Sequence, residues 1–411
     1  MKGTILEQIL KRHLLSDKIN ELIPGDVIPI KVDHLFIPDN SVMPIFKIME
    51  QEKIQAKNTN IYLGLTHFRY QYEENYSSIQ RDICDLAKKY KFKILENYKG
   101  LWQYQILNRG ILQPGEIFLG RDSTVNFFAP LNSLNISSGI QDIIQCIITC
   151  QHDYIVPAVI HVQLEGTVPK NISGKDISLF LKHELFEITK NKHCLIEFSG
   201  SVLEQLSPRD LYTISQHHFA INASAFIFPP LKQIYRKTQG LTPLESPEYS
   251  KELRFDISKL NSLIEFNNSI HEVHEFNLKQ IDKVFIGNSI GGSLQDMKFL
   301  AQQLENKKVK IPCFVIPGSS KILLEATEKG YLEIILKSGC ILLAPATGIC
   351  SAMNNLIPIK NERIMTTAIN SISIQVKHDV IDFYTASIET AVATALIGKI
   401  SDIGDLQYHG T

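Results

Sequence analysis

The sequence predicts an α/β protein with mainly parallel sheets flanked by helices on both faces. Three observations carry that expectation. The last third repeats a strand, loop, helix order; residues 60–95 read as strand, helix, strand; and in the first segment short apolar runs alternate with stretches of helical period. The chain has 411 residues, 44% of them hydrophobic and 21% charged. That length supports a sizeable core in two or three domains, and the composition is that of an ordered protein.

The elements follow in order. Residues 1–17 carry Glu7 and Asp17 among apolar positions and read as a short amphipathic helix, not a secretory leader. Residues 28–33 read as a strand, followed by the loop Pro38-Asp39-Asn40-Ser41. A second strand at 60–65 ends at Thr66-His67-Phe68, and residues 77–90 place Ile79, Ile83, Leu86 and Ala87 on one helical face before a strand at 92–95. The run from Gly115 to Gly120 exits into Arg121-Asp122-Ser123-Thr124, and Ser137-Ser138-Gly139 opens a helix over 140–150. Strands at 158–164 and 194–198 enclose a helix at 176–183, and Ser207-Pro208 begins another. Residues 235–277, richer in charge, serine and asparagine, read as a helical linker with exposed loops.

The remaining units are a strand at 284–287, a glycine-containing loop at 288–293 and a helix at 294–304. Then come a strand at 313–316, the turn Pro317-Gly318-Ser319-Ser320 and a helix at 321–329. A strand at 340–343 leads to Ala344-Pro345-Ala346-Thr347-Gly348, whose small residues permit close backbone approach, and a small-residue helix at 387–396 closes the order. The expected divisions are 1–155, 156–278 and 279–411.

The formal net charge of -1 sets up no field that would recruit nucleic acid or anionic lipid. The most apolar runs, 136–148 and 340–345, are too short or too polar to cross a bilayer. A cytoplasmic protein without nucleic-acid or membrane partners is the expectation. Seven cysteines, at 84, 146, 150, 194, 313, 340 and 350, form no dense disulfide pattern. Cys146 and Cys150 are four apart and could share a helical face, but a metal site would need more ligands near them, and a place in the core is favoured.

Ligands of α/β proteins gather at the carboxyl ends of strands. Asp122 and Ser123 offer a carboxylate and a hydroxyl at one such end, while Asn288 and Ser289, with Gly291 and Gly292, offer backbone N–H groups to an anion. The turn holding Ser319 stands just before a helix, whose unpaired donors also attract anions. Each of these loops reads equally as a plain structural connection. His67 follows a strand and is either a presented base or a turn cap. His271 and His274 lie among charged neighbours and read as surface residues, and no His-Glu-x-x-His or Cys-x-x-Cys pattern occurs.

The order of short phrases resembles the aconitase and 3-isopropylmalate dehydratase large-subunit family over nearly the whole chain. The phrases are Pro24-Gly25-Asp26, Leu112-Gln113-Pro114-Gly115, Arg121-Asp122-Ser123, Leu164-Glu165-Gly166, Val284-Phe285-Ile286-Gly287, Val315-Ile316-Pro317-Gly318-Ser319 and Ser387-Ile388-Glu389-Thr390-Ala391. The resemblance implies the aconitase-like N-terminal three-domain architecture without the swivelling domain. It also implies a [4Fe–4S] cluster on three cysteines, a hydro-lyase reaction on a hydroxylated di- or tricarboxylic acid, and a small swivelling-domain subunit as partner.

The departures fall on the chemistry. The family's Gly-Ser-Cys-Thr-Asn-Gly loop is matched by Gly287-Asn288-Ser289-Ile290-Gly291-Gly292, so Ser289 stands at the first cysteine. Its Gly-Pro-Gly-Cys-x-x-Cys pattern is matched by residues 344–350, where Thr347 replaces the second ligand and only Cys350 remains. Serine and threonine oxygens replace thiolates poorly in an iron–sulfur site. The family's Asp-Ser-His-Thr phrase becomes Asp122-Ser123-Thr124-Val125, a further histidine becomes Gln103, its Asp-His pair becomes Thr66-His67, and its two arginines fall at Asn370 and Gln375. No charged bidentate fork for a carboxylate survives at those two positions.

The resemblance therefore implies a cluster-free homologue, either a non-catalytic or repurposed subunit binding a small hydroxy acid. The alternative is a hydro-lyase or isomerase large subunit that works with a separate small subunit and without a [4Fe–4S] cluster. In that alternative His67, Asp122 and Ser123 would position substrate or move protons, and the substrate-binding residues expected are Asn288, Ser289, Ser319, Thr347 and Cys350. A third reading is an interaction protein without a small ligand.

Overall fold

The computed structural model describes residues 1–57, 60–65, 76–96, 99–235, 240–276, 279–345, 361–368 and 382–407. The chain forms two compact units. Unit 1 gathers Met1–Glu96, Ile106–Thr167 and Leu185–Ile257, and unit 2 gathers Asn97–Gln105, Val168–Glu184 and Ser258–Thr411.

The elements up to the end of unit 1 are α1 (Ile5–His13), β1 (Val27–Lys31), β2 (His34–Pro38), α2 (Asp39–Gln51), β3 (Ile61–Gly64), α3 (Tyr76–Tyr90), β4 (Lys93–Leu95), α4 (Trp102–Asn108), β5 (Ile117–Gly120), β6 (Leu134–Ser137), α5 (Ile140–Thr149), β7 (Gln151–Ile155), β8 (Ala158–Glu165), α6 (Gly174–Thr189), β9 (Cys194–Ser199), α7 (Val202–Gln205), α8 (Pro208–Ser215), β10 (Phe226–Ile227) and β11 (Lys251–Asp256). They continue with β12 (Leu263–Phe266), β13 (Ser269–Glu272), β14 (Lys283–Gly287), α9 (Leu294–Leu304), β15 (Cys313–Ile316), α10 (Ser320–Glu328), α11 (Tyr331–Lys337), β16 (Ile341–Leu342), β17 (Arg363–Thr366), β18 (Asp382–Ala386) and α12 (Ile388–Ile397).

Unit 1 holds a five-stranded sheet in the order β4-β3-β2-β5-β6, parallel throughout. A four-stranded sheet, β10-β9-β8-β11, is also parallel throughout. Strands β2, β3 and β5 are buried along their whole length, as a sheet covered on both faces requires. α1 is opened by Thr4, whose hydroxyl accepts from the Glu7 amide. It buries Ile5, Leu6, Ile9 and Leu10 completely, each worth about 1.5–3 kcal/mol as an upper estimate.

Two expectations are corrected. Asp39, Asn40 and Ser41 begin α2 and are not a loop, because Val42, Ile45, Phe46 and Met49 form a buried stripe that outweighs Pro44 inside the helix. Residues 235–277 contain three strands where a helical linker was expected. β11 pairs in parallel with β8 along the sheet edge and leaves Lys251, Glu252 and Arg254 outside the core, so its charge records an edge and not a linker.

Unit 2 is a seven-stranded sheet in the order β13-β12-β18-β17-β14-β15-β16, antiparallel only at β13-β12-β18. Phe285 and Phe314 stack at 4.7 Å in its core with Ile364. α9 begins at a capping box, with Ser293 accepting from the Asp296 amide and Asp296 accepting from the Ser293 amide. α12 is buried from Ile388 to Leu396, which matches its small and aliphatic composition. Among the described residues no helix is long and apolar enough to cross a membrane.

Candidate functional site

In unit 1 the chain runs from β2 to β3 and β4 on one side of the sheet, then returns to place β5 and β6 on the other. The carboxyl ends of β2 and β5 therefore flank a topological switch point, where open α/β sheets place ligands. β2 exits into Asp39-Asn40-Ser41 and β5 into Arg121-Asp122-Ser123. The Arg121 guanidinium donates through Nη1 to the Ser41 hydroxyl at 2.6 Å and tethers the two exits. The Ser41 hydroxyl in turn donates to Asn40 Oδ1 at 2.8 Å.

Asp122 is half-buried, and its Oδ1 accepts from the Thr124 amide and hydroxyl, both at 2.7 Å. This turn fixes the loop and occupies one oxygen of the predicted carboxylate. Ser123 is exposed and makes no hydrogen bond with any described residue. Arg121 is exposed as well, and among the described residues no carboxylate pairs with it. Sequence reasoning quoted Arg121 and Ser41 only as parts of motifs. Nothing in a single sequence shows that strand order would bring them together. His67 lies outside the described residues.

In unit 2 the corresponding crevice lies between β14, which continues to β15 on one side, and β17 on the other. Here the exit loops lock onto each other. The Asn288 amide donates to the Ile316 carbonyl at 3.0 Å and the Gly318 amide to the Gly292 carbonyl at 2.8 Å. The Gly287 amide donates to the Thr367 hydroxyl at 3.1 Å, and that hydroxyl donates to the Ile290 carbonyl at 2.9 Å. The amides of Gly287, Asn288 and Gly318 are thus engaged within the protein.

The glycines of these loops answer to backbone packing. Gly287 has φ +117°, and a Cβ there would stand 2.0 Å from the Ile316 carbonyl oxygen. A Cβ at Gly318 would stand 2.2 Å from the ring of Tyr104, whose hydroxyl donates to the Ser289 carbonyl at 3.4 Å. Tyr104 is a residue that sequence reasoning missed. Ser319 is 1% exposed, and its hydroxyl accepts from the Ile322 amide as the cap of α10. Asn288 is 6% exposed with φ +85°. Thr347 and Cys350 lie outside the described residues.

The donor set does not fit an iron–sulfur cluster. A hydroxyl, at Ser289, occupies the loop position of the first thiolate. The two described cysteines of unit 2, Cys313 and Cys340, stand at the amino ends of β15 and β16, away from the exit loops. The Cys313 thiol is hydrogen-bonded to that of Cys340 and is pushed well above its ordinary value by that bond and by burial. Among the described residues no three His, Cys, Asp or Glu side chains are grouped to hold a metal ion.

Fold and strand order define an α/β protein whose mainly parallel sheets each have a switch point at their carboxyl edge. The chain belongs to the aconitase family: the family model for aconitate hydratase matches residues 41–237 and 242–398. It is 25% identical over 419 residues to the 3-isopropylmalate dehydratase large subunit 2 of Archaeoglobus fulgidus, covering 98% of this chain and 99% of that protein. It is 23% identical over 413 residues to the homoaconitase large subunit of Thermus thermophilus, covering 97% and 98%. The fold is similar to aconitase X of Thermococcus kodakaraensis in its holo form, with TM-score 0.53 and 14% identity over 98% of this chain and 95% of that one.

Proposed function

We propose that this chain is a cluster-free aconitase-family subunit that binds a small carboxylic acid at the switch point of unit 1, in a non-catalytic or repurposed role. One observation carries the reading: Arg121, tethered to Ser41 at 2.6 Å, has no carboxylate partner among the described residues. A guanidinium fork at a switch-point crevice favours a carboxylate ligand, and Ser123 beside it offers a hydroxyl. The cluster-free part is supported by Ser289 and Thr347 at two thiolate positions. The names of the relatives, which are large subunits, favour a small-subunit partner.

Calorimetric titration of the chain with malate, citrate and succinate tests the binding part. At least one acid should bind, and Arg121→Ala should weaken it about tenfold, equivalent to about 1.4 kcal/mol. No binding by any of the three, or no effect of the substitution, sinks the reading. Iron and labile-sulfide analysis after anaerobic purification tests the other part, since near-stoichiometric cluster would overturn it. The presence of Asp122 and Ser123 beside Arg121 favours the second reading, a cluster-independent hydro-lyase or isomerase. Turnover of a hydroxy acid by the chain, alone or with a co-purified small subunit, would select it.

A further inference from the structure

Unit 1 carries a half-open cavity of about 580 Å3 whose lining includes none of the switch-point residues. Its walls are the exit of β6, the first turn of α5, the strand β7, and the segments entering β9 and β10. The volume falls in the range of small-molecule sites, about 300–1,000 Å3.

The deep side is polar. The burial pattern of β7 turns His152 inward, and His152 is 7% exposed. Its Nδ1 is shut off from solvent and has no hydrogen-bond partner among the described residues. A nitrogen left in that state costs about 1–3 kcal/mol and is out of reach of any ligand; the ring nitrogen that can meet one is Nε2, which also has no hydrogen-bond partner among the described residues, on a residue that lines the cavity. His218, on the same wall, is 2% exposed. Burial lowers the pKa of His152 against the pull of Asp142 and Asp153, and takes that of His218 to about 4. Both rings are therefore neutral at pH 7, and in either tautomer each has one nitrogen that donates and one that accepts.

The mouth is apolar. Phe219 is 68% exposed and Ile155 49% exposed, and both line the cavity. The charged walls disfavour an anion, because Asp142 and Asp153 outnumber Lys192. They also hold a cation weakly: Asp142 already accepts from Ser138 and the Gly139 amide, and Asp153 from Gln145. What remains is a ligand that is uncharged, hydrogen-bonding along an edge and apolar across a face. We propose that this cavity binds a flat nitrogen heterocycle of the nucleobase or nucleoside kind, its edge bonded to His152 and its face against Phe219.

The test is titration of the full chain, by calorimetry or ligand-observed NMR, with adenosine, guanosine, cytidine and uridine. AMP and leucine serve as anionic and zwitterionic comparators. At least one nucleoside should bind with Kd near or below about 1 mM. Phe219→Ala, at an exposed position that leaves folding intact, should weaken it about tenfold, and His152→Phe should abolish it. Far-UV circular dichroism distinguishes lost binding from lost folding in the His152 variant. The proposal is overturned if no nucleoside binds, if binding is indifferent to Phe219→Ala, or if AMP or leucine binds more tightly than every nucleoside.

Discussion

At the carboxyl edge of the five-stranded sheet in unit 1, among the described residues, the Arg121 guanidinium has Ser41 as its single side-chain partner and the Ser123 hydroxyl has none. At the carboxyl edge of the seven-stranded sheet in unit 2, the amides of Gly287, Asn288 and Gly318 are bonded within the protein and Tyr104 lies against Gly318. Both edges obey the same topological rule, yet among the described residues the first leaves a guanidinium without a carboxylate partner and a hydroxyl without a hydrogen bond, while at the second three loop amides are taken up within the protein. A glycine-rich exit admits close approach, and what approaches decides its role. In unit 2 the approaching atoms are backbone carbonyls and an aromatic ring.

The largest effects should come from glycines that both units use in the same way. Gly287 after β14 and Gly200 after β9 have φ +117° and +108°, and a Cβ would stand 2.0 Å from the Ile316 carbonyl oxygen or 2.1 Å from that of Leu164. Gly287→Ala and Gly200→Ala should each cost about 3 kcal/mol or more, since strained φ and a backbone clash add. Denaturant unfolding checks this. If the units unfold independently, each substitution shifts its own transition; a single shared transition would show that the two are energetically one body.

Much of the fold was legible because hydrophobic period and capping residues are local signals. Ser293 before α9, Ser207 before α8 and Ser387 before α12 all serve as caps where the sequence placed helix starts. α2 was hidden by Pro44, and β11 to β13 by charge that belongs to an edge and its hairpin. The candidate site was less legible for a topological reason. Ser41 and Arg121 are 80 residues apart and meet only because β5 returns beside β2. The hydroxyl of Ser319 was correctly located at a helix start but acts as the cap itself. His67, Thr347 and Cys350 lie outside the described residues.

A middle-sized effect concerns the interior of unit 1. The Glu197 carboxylate, 1% exposed, accepts from the Leu6 amide at 2.7 Å and the Ile5 amide at 3.2 Å at the start of α1. Burial pushes it from 4.5 up to about 7, although those amides pull the other way. The folded value lies above the unfolded one, so the stability it contributes is complete below about pH 4.5 and lost as pH rises through about 7. Unfolding free energy should fall by on the order of 1–3 kcal/mol across that window from this group. Glu197→Gln retains one acceptor and should flatten the slope. An unchanged slope would assign the pH dependence to other groups.

The smallest effect, that of Tyr104→Phe, tests what closes the unit 2 edge. At 3.4 Å the bond from the Tyr104 hydroxyl to the Ser289 carbonyl is long, whereas the ring is within contact of Gly318 and 7% exposed. Tyr104→Phe keeps the ring and should cost no more than about 0.5–1 kcal/mol. Tyr104→Ala opens a hole and should cost about 3–5 kcal/mol. If Phe proves as damaging as Ala, the hydroxyl anchors the Ser289 loop and the edge is organised by a polar contact. A small cost for Phe would instead show that an aromatic plug fills the exit, which is how a strand end that could receive a ligand becomes part of the core.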